Sequence, residues 1–503
     1  MNLFETLRQA GAAPADAVFA RHRDGAIATY GDLDAGSARI AARLRALGVQ
    51  AGDRVAVQAP KSLEALLLYF ATVRAGAVYL PLNPAYTPAE LGYFLEDAEP
   101  ALFVADVAGS DGLAALAMRV PGCAFATLGR NGEGTLLDGI ADLPAEFDTV
   151  ARADDDLAAI LYTSGTTGRS KGAMLTHANL SSNALTLVEA WAFTAQDRLL
   201  HALPIFHTHG LFVATNVSVA AGASLLLLES FDAAQVLALL PEATTMMGVP
   251  TFYTRLLDRP ELDAGLVAHM RLFISGSAPL SAETHHAFAQ RTGHAILERY
   301  GMTETSMMSS NRLAGPRLAG SVGAPLPGIA MRIADPESGA PLASGEVGVI
   351  EVKGPNVFKG YWRNPEKTAA EFREDGYFIS GDLGRVDDDG YYWIMGRAKD
   401  LVISGGFNVY PAEVEAVVEA LPEVAECAVI GVPHPDFGEG VVAVVTLALG
   451  ATLDEAKLRA ALAGQLAKFK QPKRFVVMDA LPRNAMGKVQ KAALRAEFGS
   501  LFR

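Results

Sequence analysis

Apolar and polar residues alternate along the N-terminal half of the chain with two different periods. The segments "DLDAGSARIAARLRALGV" and "SLEALLLYFATVRAG" carry apolar residues at the spacing of amphipathic helices. The short runs "RVAVQA" and "ALFVAD" are typical of buried strands. This alternation extends from Tyr30 to about Val150 and resumes from Ala158 to Ser275, which predicts layered α/β structure.

The pattern changes twice in the C-terminal half. Between Gly323 and Gly396, short β-like runs such as "VGVIEVKG" and "DDDGYYWIMG" are separated by Gly, Pro and Asp, which predicts a small β-rich subdomain. After "GRAKDLVISGG", short apolar runs and helical segments mix again. We therefore predict a separate small α+β domain from about Asp400 to Arg503.

Length and composition predict a globular, multidomain protein of the cytoplasm. The chain has 503 residues, half of them apolar, and this length exceeds what one hydrophobic core usually holds. Apolar runs such as "ASLLLLE" are too short to cross a bilayer, and the N-terminus lacks a secretory signal pattern. Cys123 and Cys427 fit neither a metal-binding spacing nor a disulfide framework, so we expect thiols in a reducing compartment.

Charge narrows the possible partners. The formal net charge of −14 argues against non-specific binding to nucleic acid or to acidic membranes, because such binding needs a basic surface. Any anionic ligand must therefore meet local positive charge. The sequence shows no internal repeat and no low-complexity tract, which favours an enzyme over a repeat array.

The stretch "LYTSGTTGRSKG" combines glycines, hydroxyls and a lysine directly after the apolar run "LAAILY". Backbone N–H groups of such a turn, with hydroxyls and the Lys171 ammonium, form a surface suited to phosphate oxygens. Ser170 and Gly172 exclude a Walker A loop, and the strand-like "AMLTH" that follows predicts a hairpin loop without a helix dipole. The alternative is an ordinary turn rich in Gly, Ser and Thr.

Three further residues fit ATP chemistry but have ordinary alternatives. Asp382 in "FISGDLG" can accept two vicinal hydroxyls, although Asp after Gly is often a turn former. Glu304 is a hard oxygen ligand suited to Mg²⁺, with a solvated surface acid as the alternative. Lys488 lies in an Asn/Gly/Pro turn and, taken alone, resembles a solvated lysine near the end of the chain.

Taken together and in this order, the motifs resemble the adenylate-forming acyl-CoA synthetase superfamily over nearly the whole chain. The resemblance rests on "YTSGTTGRSKG", "SGSAP", "YGMTE", "GD", "GRAKD" and "PRNAMGKVQK". It implies a large N-terminal domain (1–398) that binds AMP and the acid, and a small mobile C-terminal domain (399–503). The cofactors implied are ATP and Mg²⁺, with coenzyme A as co-substrate.

The resemblance also assigns residues to ATP. It implies that one loop binds the phosphates, that two motifs contact adenine and the rest of the nucleotide, that a carboxylate holds the ribose and that a lysine near the C-terminus acts in adenylation. The residues concerned are Thr163, Ser164, Gly165, Thr166, Thr167, Gly168, Lys171, Ser277, Ala278, Pro279, Glu298, Tyr300, Gly301, Met302, Thr303, Asp382, Arg397 and Lys488. The resemblance also implies that Thr163 and Glu304 bind Mg²⁺.

The reaction implied has two steps. A carboxylate attacks the α-phosphate of ATP and forms acyl-AMP and pyrophosphate, and a thiol then displaces AMP. Because two anions meet, we expect Mg²⁺, Lys171 and Lys488 to spread the charge. The resemblance makes Lys399 the hinge between the steps, with Gly405 and Gly406 leaving room for the pantetheine arm. A tight turn is the alternative for this glycine pair.

The thiol acceptor is predicted to be free coenzyme A. The chain ends soon after Lys488 without a carrier domain, and "LPIFHTHGLF" lacks the aspartate that binds an amino acid in peptide synthetases. Carrier loading and luciferase-like oxidation are the alternatives within the superfamily. A basic cluster could meet the phosphates of coenzyme A, although a solvated face is the alternative for each of its members, Lys468, Lys470, Lys473 and Arg474.

Arg299 is the informative residue for the acid, because a buried guanidinium is costly unless it meets an anion. This points to a short dicarboxylate, and "HALPIFHTHGLF" with "ERYGMTET" resembles the malonyl-CoA synthetases, which activate malonate or methylmalonate. His207, Ser277 and Met302 would line the pocket. Structural pairing of Arg299 with Glu298 or Asp382 is the alternative.

Other functions stay open at this point. His207 recurs across the superfamily and Met302 fits a core position, so neither selects malonate. A different short-chain or aromatic acid, and a non-catalytic nucleotide-binding protein, are the alternatives, although Lys488 and Glu304 together favour an enzyme. Monomer and homodimer remain equally open.

Overall fold

The computed structural model describes residues 1–22, 25–163, 170–463, 465–484 and 487–502. Numbered in chain order, its strands are β1 (Val18–His22), β2 (Ile27–Thr29), β3 (Arg54–Gln58), β4 (Val78–Pro81), β5 (Leu102–Ala105), β6 (Ala124–Thr127), β7 (Leu157–Thr163), β8 (Lys171–Thr176), β9 (Arg198–His201), β10 (Ser224–Leu227), β11 (Thr245–Gly248), β12 (Leu272–Ser275), β13 (Leu297–Met302), β14 (Ser306–Ser310), β15 (Ser321–Pro325), β16 (Ala330–Ala334), β17 (Gly348–Lys353), β18 (Phe378–Val386), β19 (Tyr392–Arg397), β20 (Val402–Ser404), β21 (Phe407–Val409), β22 (Val424–His434), β23 (Gly438–Leu447) and β24 (Arg474–Val477).

The α-helices are α1 (Leu3–Gly11), α2 (Tyr30–Ala46), α3 (Leu63–Arg74), α4 (Pro88–Ala98), α5 (Ser110–Ala117), α6 (His177–Ala190), α7 (Asn216–Ala221), α8 (Ala233–Leu239), α9 (Pro250–Leu257), α10 (Ala282–Thr292), α11 (Pro365–Ala370), α12 (Pro411–Glu419), α13 (Glu455–Ala463) and α14 (Lys491–Phe498). None of the helices in these described ranges is long and apolar enough to cross a membrane. A π-helix precedes α7 and spans His209–Thr215.

The first large sheet contains the strands on either side of the predicted phosphate-binding motif. Its strand order is β6-β5-β3-β4-β7-β8, in which all neighbours are parallel except the final pair. β7 and β8 form an antiparallel hairpin that places Thr163 opposite Lys171. The two predicted strands on either side of the motif are confirmed as β7 and β8, and the described element that follows the motif is a strand and not a helix.

The second large sheet follows the path β16-β17-β18-β19-β15-β14-β13-β12-β11-β9-β10-β1-β2. Strands β1, β10, β9, β11, β12 and β13 are parallel, whereas the path from β13 to β16 is antiparallel throughout. The pattern therefore changes at β13, and ligands of α/β sheets bind beyond the carboxyl ends of parallel strands. The antiparallel part contains the β-rich stretch predicted between Gly323 and Gly396.

The small sheet builds the predicted C-terminal α+β unit. β20, β22 and β23 are antiparallel neighbours, β21 extends one edge, and β24 adds in parallel to β23. Apolar clusters cover both of its faces: Val429 and Val441 belong to one, Ile430 and Val442 to the other. The side chains alternate between the faces because successive residues of a strand point to opposite sides.

Strands β14 and β15 approach each other closely at Gly323. This residue has φ +82°, and a Cβ atom added there would lie 1.9 Å from the carbonyl carbon of Ser310 and 2.1 Å from the backbone nitrogen of Asn311. Gly390 has a similar φ of +80° but has open space around the position of a Cβ atom. The two glycines therefore share a backbone conformation and differ in packing.

We predict that Gly323→Ala lowers the free energy of unfolding by about 2–5 kcal/mol, because it adds backbone overlap to the cost of a left-handed alanine. Gly390→Ala, the matched control, should lose about 1–2 kcal/mol, which is the conformational cost alone. Urea unfolding followed by circular dichroism measures both variants. Equal losses would mean that β14 and β15 do not approach as described.

Candidate active site

Residues that follow neighbouring parallel strands converge at one edge of the second large sheet. Ser275 at the end of β12 is in register with Gly248 of β11 on one side and with Glu298 of β13 on the other. β9, which ends at His201, pairs with β11. The segments "LPIFHTHG", "SGSAP" and "YGMTE" therefore meet, although they are far apart in the chain.

Arg299 is a buried cation with open hydrogen-bonding capacity. Its side chain is 3% exposed, and its Nε and Nη2 have no partner among the described residues. It forms an ion pair with neither Glu298 nor Asp382; Asp382 instead pairs with Arg397. Burial lowers the pKa of Arg299 to about 9. A buried guanidinium with unused donors is a strong binding site for an anion.

Gly276 makes room for this guanidinium. A Cβ atom added at Gly276 would lie 2.4 Å from Cζ of Arg299, so any larger residue would displace the cation. The next residue, Ser277, adopts φ +72°, and its Oγ lies 3.2 Å from Nδ1 of His209. This left-handed conformation turns the chain where it leaves β12. The motif "SGSAP" therefore contributes both space and a hydroxyl beside Arg299.

His209 was not predicted from the sequence. It is buried at the start of the π-helix, and its Nε2 has no partner among the residues that the structure describes. Burial, followed by the charge of Arg299, lowers the pKa of His209 well below its usual value. A neutral imidazole therefore stands next to the cation. The only signal in the sequence was its place in "FHTHG", two residues after His207.

A buried lysine, Lys61, holds the start of the segment "HALPIFHTHG". The sequence did not indicate this role for Lys61. Nζ of Lys61 lies 2.9 Å from Nδ1 of His201 and donates to the carbonyls of His201 and Leu203 at 2.8 and 2.7 Å. Nε2 of His201 lies 2.8 Å from the carbonyl of Gly210. If Nδ1 accepts from the lysine, Nε2 carries the hydrogen and donates to this carbonyl. Lys61 thus holds the start of the segment that contains His207, and His201 connects this start to Gly210 at its end.

The nucleotide motif and "GD" meet on the opposite side of β13. Tyr300 follows Arg299 in the strand, so its side chain points to the other face. Its hydroxyl donates to Asp382, and Nε of Arg397 lies 2.7 Å from the second oxygen of this carboxylate. Asp382 is a strand residue in β18, opposite Arg397 in β19, and 4% exposed. The turn-former alternative for Asp382 is therefore wrong.

Lys488 projects into the same cleft. Burial lowers its pKa, Arg397 and Lys399 lower it further, and Asp382 and Asp400 raise it. Burial and the charge of Lys488 lower the pKa of His207 to about 4. Lys488 as a whole residue is exposed, so the lowered pKa reflects the surroundings of its ammonium in the cleft and not a place in the core. His207, Asp382, Arg397 and Lys488 therefore act on one another, despite coming from four separate motifs.

Glu304 lies beside the hairpin of β7 and β8, which carries the predicted phosphate-binding motif and is called the phosphate hairpin below. Its carboxylate is 6% exposed, its Oε1 lies 3.0 Å from the hydroxyl of Tyr361, and burial raises its pKa. Nζ of Lys171 lies 5.0 Å above the ring of the same Tyr361. The structure therefore brings Lys171 and Glu304 together, whereas five predicted ATP contacts lie outside the described residues: Ser164, Gly165, Thr166, Thr167 and Gly168.

The residues present fit a Mg²⁺ ion that is bound together with a nucleotide. Glu304 offers a carboxylate, and Thr163 ends β7 opposite Lys171. Within the described ranges, no three His, Cys, Asp or Glu side chains gather into a metal cluster. Mg²⁺ commonly takes one or two carboxylates and completes its shell with phosphate oxygens and water, which suits this donor set.

The remaining predicted positions lie at element ends. Ala278 and Pro279 follow Ser277. Gly301 and Met302 end β13, Thr303 follows them before Glu304, and all three are partly exposed. Lys399 lies in a single 3₁₀ turn, Ala398–Asp400, that connects β19 to β20. Gly405 and Gly406, with φ +61° and +82°, form the exposed turn between β20 and β21.

Glu298 is a buried carboxyl next to Arg299 in sequence but on the other face of β13. It is 5% exposed and accepts a hydrogen bond from the Gly320 amide at 3.1 Å. Burial raises its pKa to about 8. The carboxyl is therefore protonated over much of the neutral range, and its proximity to the nucleotide motif makes it a neutral polar group of the site.

Comparison with known proteins identifies the family. The AMP-binding enzyme family matches residues 7–362, and the AMP-binding enzyme C-terminal domain matches residues 413–488. The chain belongs to the AMP-binding enzyme family. The predicted resemblance to adenylate-forming enzymes and the predicted fold class are thereby confirmed.

Individual relatives cover almost the whole chain. Crystalline ATP-bound MatB from Rhodopseudomonas palustris is 57% identical with a TM-score of 0.98, covering 100% of this chain and 99% of its own. The apo form of MatB from the same organism is equally identical but has a TM-score of 0.87. Feruloyl-CoA synthase of Amycolatopsis sp is 38% identical, covering 94% of this chain and 95% of its own length. Malonate–CoA ligase of Arabidopsis thaliana is 35% identical, with 94% and 85% covered.

We predict that Glu298→Gln stabilises the protein by about 2–4 kcal/mol at pH 8 and by less than about 1 kcal/mol at pH 5. In the folded state the carboxyl keeps its proton up to a pKa of about 8, whereas in the unfolded chain it loses the proton near its usual value of 4.5. The wild-type fold therefore loses stability as the pH rises through this window, and a neutral amide removes the loss.

Urea unfolding at pH 5, 6.5 and 8 measures this difference. Glu337→Gln, which removes an exposed carboxylate, is the control and should change stability little at any of these pH values. A gain for Glu298→Gln that is independent of pH would contradict a raised pKa.

Proposed function

We propose that this chain is an AMP-forming malonate–CoA ligase. It activates malonate with ATP as an acyl-adenylate and transfers the malonyl group to coenzyme A, releasing AMP and pyrophosphate. The relatives support ligation of an acid to coenzyme A, but they include both a feruloyl-CoA synthase and a malonate–CoA ligase. The observation that carries the choice of acid is the buried Arg299, with two unpartnered nitrogens.

The distal carboxylate of malonate binds Arg299. Nε and Nη2 lie on one edge of the guanidinium, the arrangement that binds both oxygens of a carboxylate. His209 and Ser277 stand beside this position and supply neutral hydrogen-bonding groups. An aromatic acid such as ferulate would leave the cation buried and unpaired, which is strongly unfavourable. A short dicarboxylate, malonate or methylmalonate, therefore fits the site better.

The reacting carboxylate lies toward Lys488 and His207. A carboxylate is a poor acyl donor, so the first step forms the bond from its oxygen to the α-phosphorus of ATP and breaks the bond to pyrophosphate. Lys488 neutralises charge between the carboxylate and the α-phosphate. His207, with its pKa of about 4, is neutral at pH 7 and contributes a hydrogen bond or a surface to the pocket. No covalent enzyme nucleophile is needed, so positioning dominates the catalysis.

The nucleotide occupies the Tyr300 side of β13. Asp382 accepts the ribose hydroxyls while Tyr300 and Arg397 hold its carboxylate. Adenine lies against Ser277, Ala278 and Pro279, with Glu298 and the segment 301–303 nearby. The phosphates are bound by the loop between β7 and β8 and by Lys171. Mg²⁺, held by Glu304 and Thr163, neutralises phosphate charge when it is bound.

The C-terminal unit moves between the two half-reactions. The chain matches ATP-bound MatB better than apo MatB at equal identity, and Lys488 lies in the cleft with Asp382. We assign this arrangement to adenylation, in which Gly405 and Gly406 face solvent. Rotation about Lys399 brings these glycines to the cleft for thioester formation.

Coenzyme A in its free form is the acceptor, and a cytoplasmic location suits the use of ATP and coenzyme A. Within the basic cluster, Lys470 is paired with Glu413 at 2.5 Å, whereas Nζ of Lys473 lies 4.0 Å above the ring of Phe437. Lys473 is therefore the better candidate for a phosphate of coenzyme A. A KM for coenzyme A that is unchanged in Lys473→Ala would reject this role, and cell fractionation tests the location.

Malonate-dependent exchange of pyrophosphate into ATP, followed by detection of malonyl-CoA by mass spectrometry, tests the function directly. We predict that Arg299→Leu lowers kcat/KM for malonate about 30-fold to several thousand-fold, because a carboxylate loses its charged partner in a desolvated pocket. Propionate and butyrate should lose much less or improve. Methylmalonate should follow malonate.

Binding of ATP by Arg299→Leu, measured by calorimetry, is the control for folding and nucleotide placement. Equal losses for diacids and monoacids would assign Arg299 to general architecture. Efficient turnover of ferulate by the wild-type protein, without turnover of malonate, would favour the second candidate, an aromatic acid–CoA ligase.

We predict that Lys488→Ala reduces malonyl-AMP formation by about 100-fold or more, because a charge is lost at the reacting phosphate. Conversion of supplied malonyl-AMP and coenzyme A to malonyl-CoA should stay within a few-fold of wild type. Lys399→Pro, which restricts the hinge, should slow the complete cycle while folding normally. Equal loss of both half-reactions in Lys488→Ala would contradict a role confined to adenylation.

A further inference from the structure

One buried tyrosine contacts both carboxylates next to the phosphate hairpin. Tyr361 is 4% exposed, and its hydroxyl lies 3.0 Å from Oε1 of Glu304 and 2.6 Å from Oε2 of Glu371. Its ring packs against Phe358 with 4.9 Å between centroids, which fixes its orientation. The single hydroxyl therefore sets the spacing between Glu304 and Glu371.

Glu371 forms ion pairs with two lysines at unequal distances. Nζ of Lys367 lies 2.6 Å from its Oε1, whereas Nζ of Lys171 lies 3.9 Å from the same oxygen. Lys171 also stands 5.0 Å above the ring of Tyr361. The ammonium of Lys171 is thus kept close to a counter-ion without a short hydrogen bond to it. Such a loose contact is easily exchanged for a stronger one.

The surrounding charges favour this exchange. Burial and the neighbouring charge of Lys367 lower the pKa of Lys171, whereas Glu371 and Glu304 raise it. Two lysines and two carboxylates balance one another when no ligand is bound. A triphosphate brings more negative charge than one carboxylate, so it attracts Lys171 away from Glu371. When pyrophosphate leaves, Glu371 offers the lysine a replacement.

We propose that Glu371 is the counter-ion that Lys171 exchanges for phosphate, and that Tyr361 is the positioning residue that aligns Glu371 with Glu304. This inference rests on the proposed function in two respects: that Lys171 binds the phosphates of ATP and that Glu304 binds Mg²⁺. The exchange breaks and forms only ionic contacts. Its consequence is that pyrophosphate is released more readily, because a competitor for Lys171 is built into the site.

Replacing Glu371 with glutamine removes the competing charge and keeps the shape. The amide oxygen can still accept the hydrogen bond of Tyr361. We expect Glu371→Gln to bind inorganic pyrophosphate about 3- to 10-fold more tightly, a size typical of partly buried ion pairs. Calorimetry without any acid present measures this affinity. Inhibition of turnover by added pyrophosphate should strengthen by a similar factor.

Glu374→Gln is the matched control. Glu374 is an exposed carboxylate three residues further along the chain, so its removal changes the net charge equally without touching Lys171. Pyrophosphate affinity in this variant should stay within about 2-fold of wild type. Equal tightening in both variants, or unchanged or weaker binding in Glu371→Gln, would overturn the counter-ion role.

Tyr361→Phe tests the positioning role, since it removes the hydroxyl and keeps the ring under Lys171. We expect the affinity for ATP with Mg²⁺ to fall about 10- to 100-fold, as is usual when a group that positions a metal-binding side chain is removed. The affinity for ATP without Mg²⁺ should change much less. Tyr392→Phe, which removes a hydroxyl bonded to the Met331 carbonyl at 2.8 Å, is the control for a lost buried hydrogen bond.

Equal losses with and without Mg²⁺ in Tyr361→Phe would reject the alignment of Glu304. If Tyr361→Phe melts at a temperature close to that of Tyr392→Phe, its loss of ATP affinity does not come from general destabilisation. Because the binding assays contain no acid, they do not depend on malonate as the substrate. If the wild-type protein does not turn over malonate but the two variants change pyrophosphate and ATP binding as expected, the proposed substrate is refuted and the exchange of counter-ions stands.

Discussion

The site depends on the electrostatic cost of burying Arg299 without a partner. Burial favours the neutral form so strongly that the pKa falls to about 9, and two nitrogens lack hydrogen bonds within the described residues. Gly276 leaves space for this side chain, and His209 beside it stays neutral, so no further charge is added. A bound carboxylate would offset the cost. The electrostatic cost that destabilises the free protein thus favours binding of a doubly charged acid.

On the opposite face of β13 a carboxylate is already paired. Asp382 is held by Tyr300 and Arg397, while Glu304, which follows β13, lies 3.0 Å from the hydroxyl of Tyr361. Successive side chains of β13 point to opposite faces. This separates the unpaired cation of Arg299, which suits the acid, from the carboxylate of Asp382, which is already oriented for the nucleotide. The two faces meet at the carboxyl end of the strand, and Lys488 enters there from the C-terminal unit.

Much of the architecture was predictable because it depends on local patterns. The segments "RVAVQA" and "SLEALLLYFATVRAG" became β3 and α3, and the phosphate hairpin followed from glycines between two apolar runs. Arg299 could be singled out because it directly precedes "YGMTE" and because a buried guanidinium is costly unless it meets an anion. For Asp382 the sequence left a turn-forming role open as the alternative to ribose binding, and the structure excludes that alternative because the antiparallel partner Arg397 keeps Asp382 in a strand.

The sequence by itself determined the elements, the order of the motifs and the family, since these depend on spacing and residue type along the chain. Only the tertiary structure decided which distant side chains pair. Lys61 reaches His201 across 140 positions, and Tyr361 meets Glu304 across 57. It also decided that Arg299 pairs with neither nearby carboxylate. The reason is physical: strands that are neighbours in a sheet need not be neighbours in the chain, and side-chain partners across them leave no periodic trace in sequence.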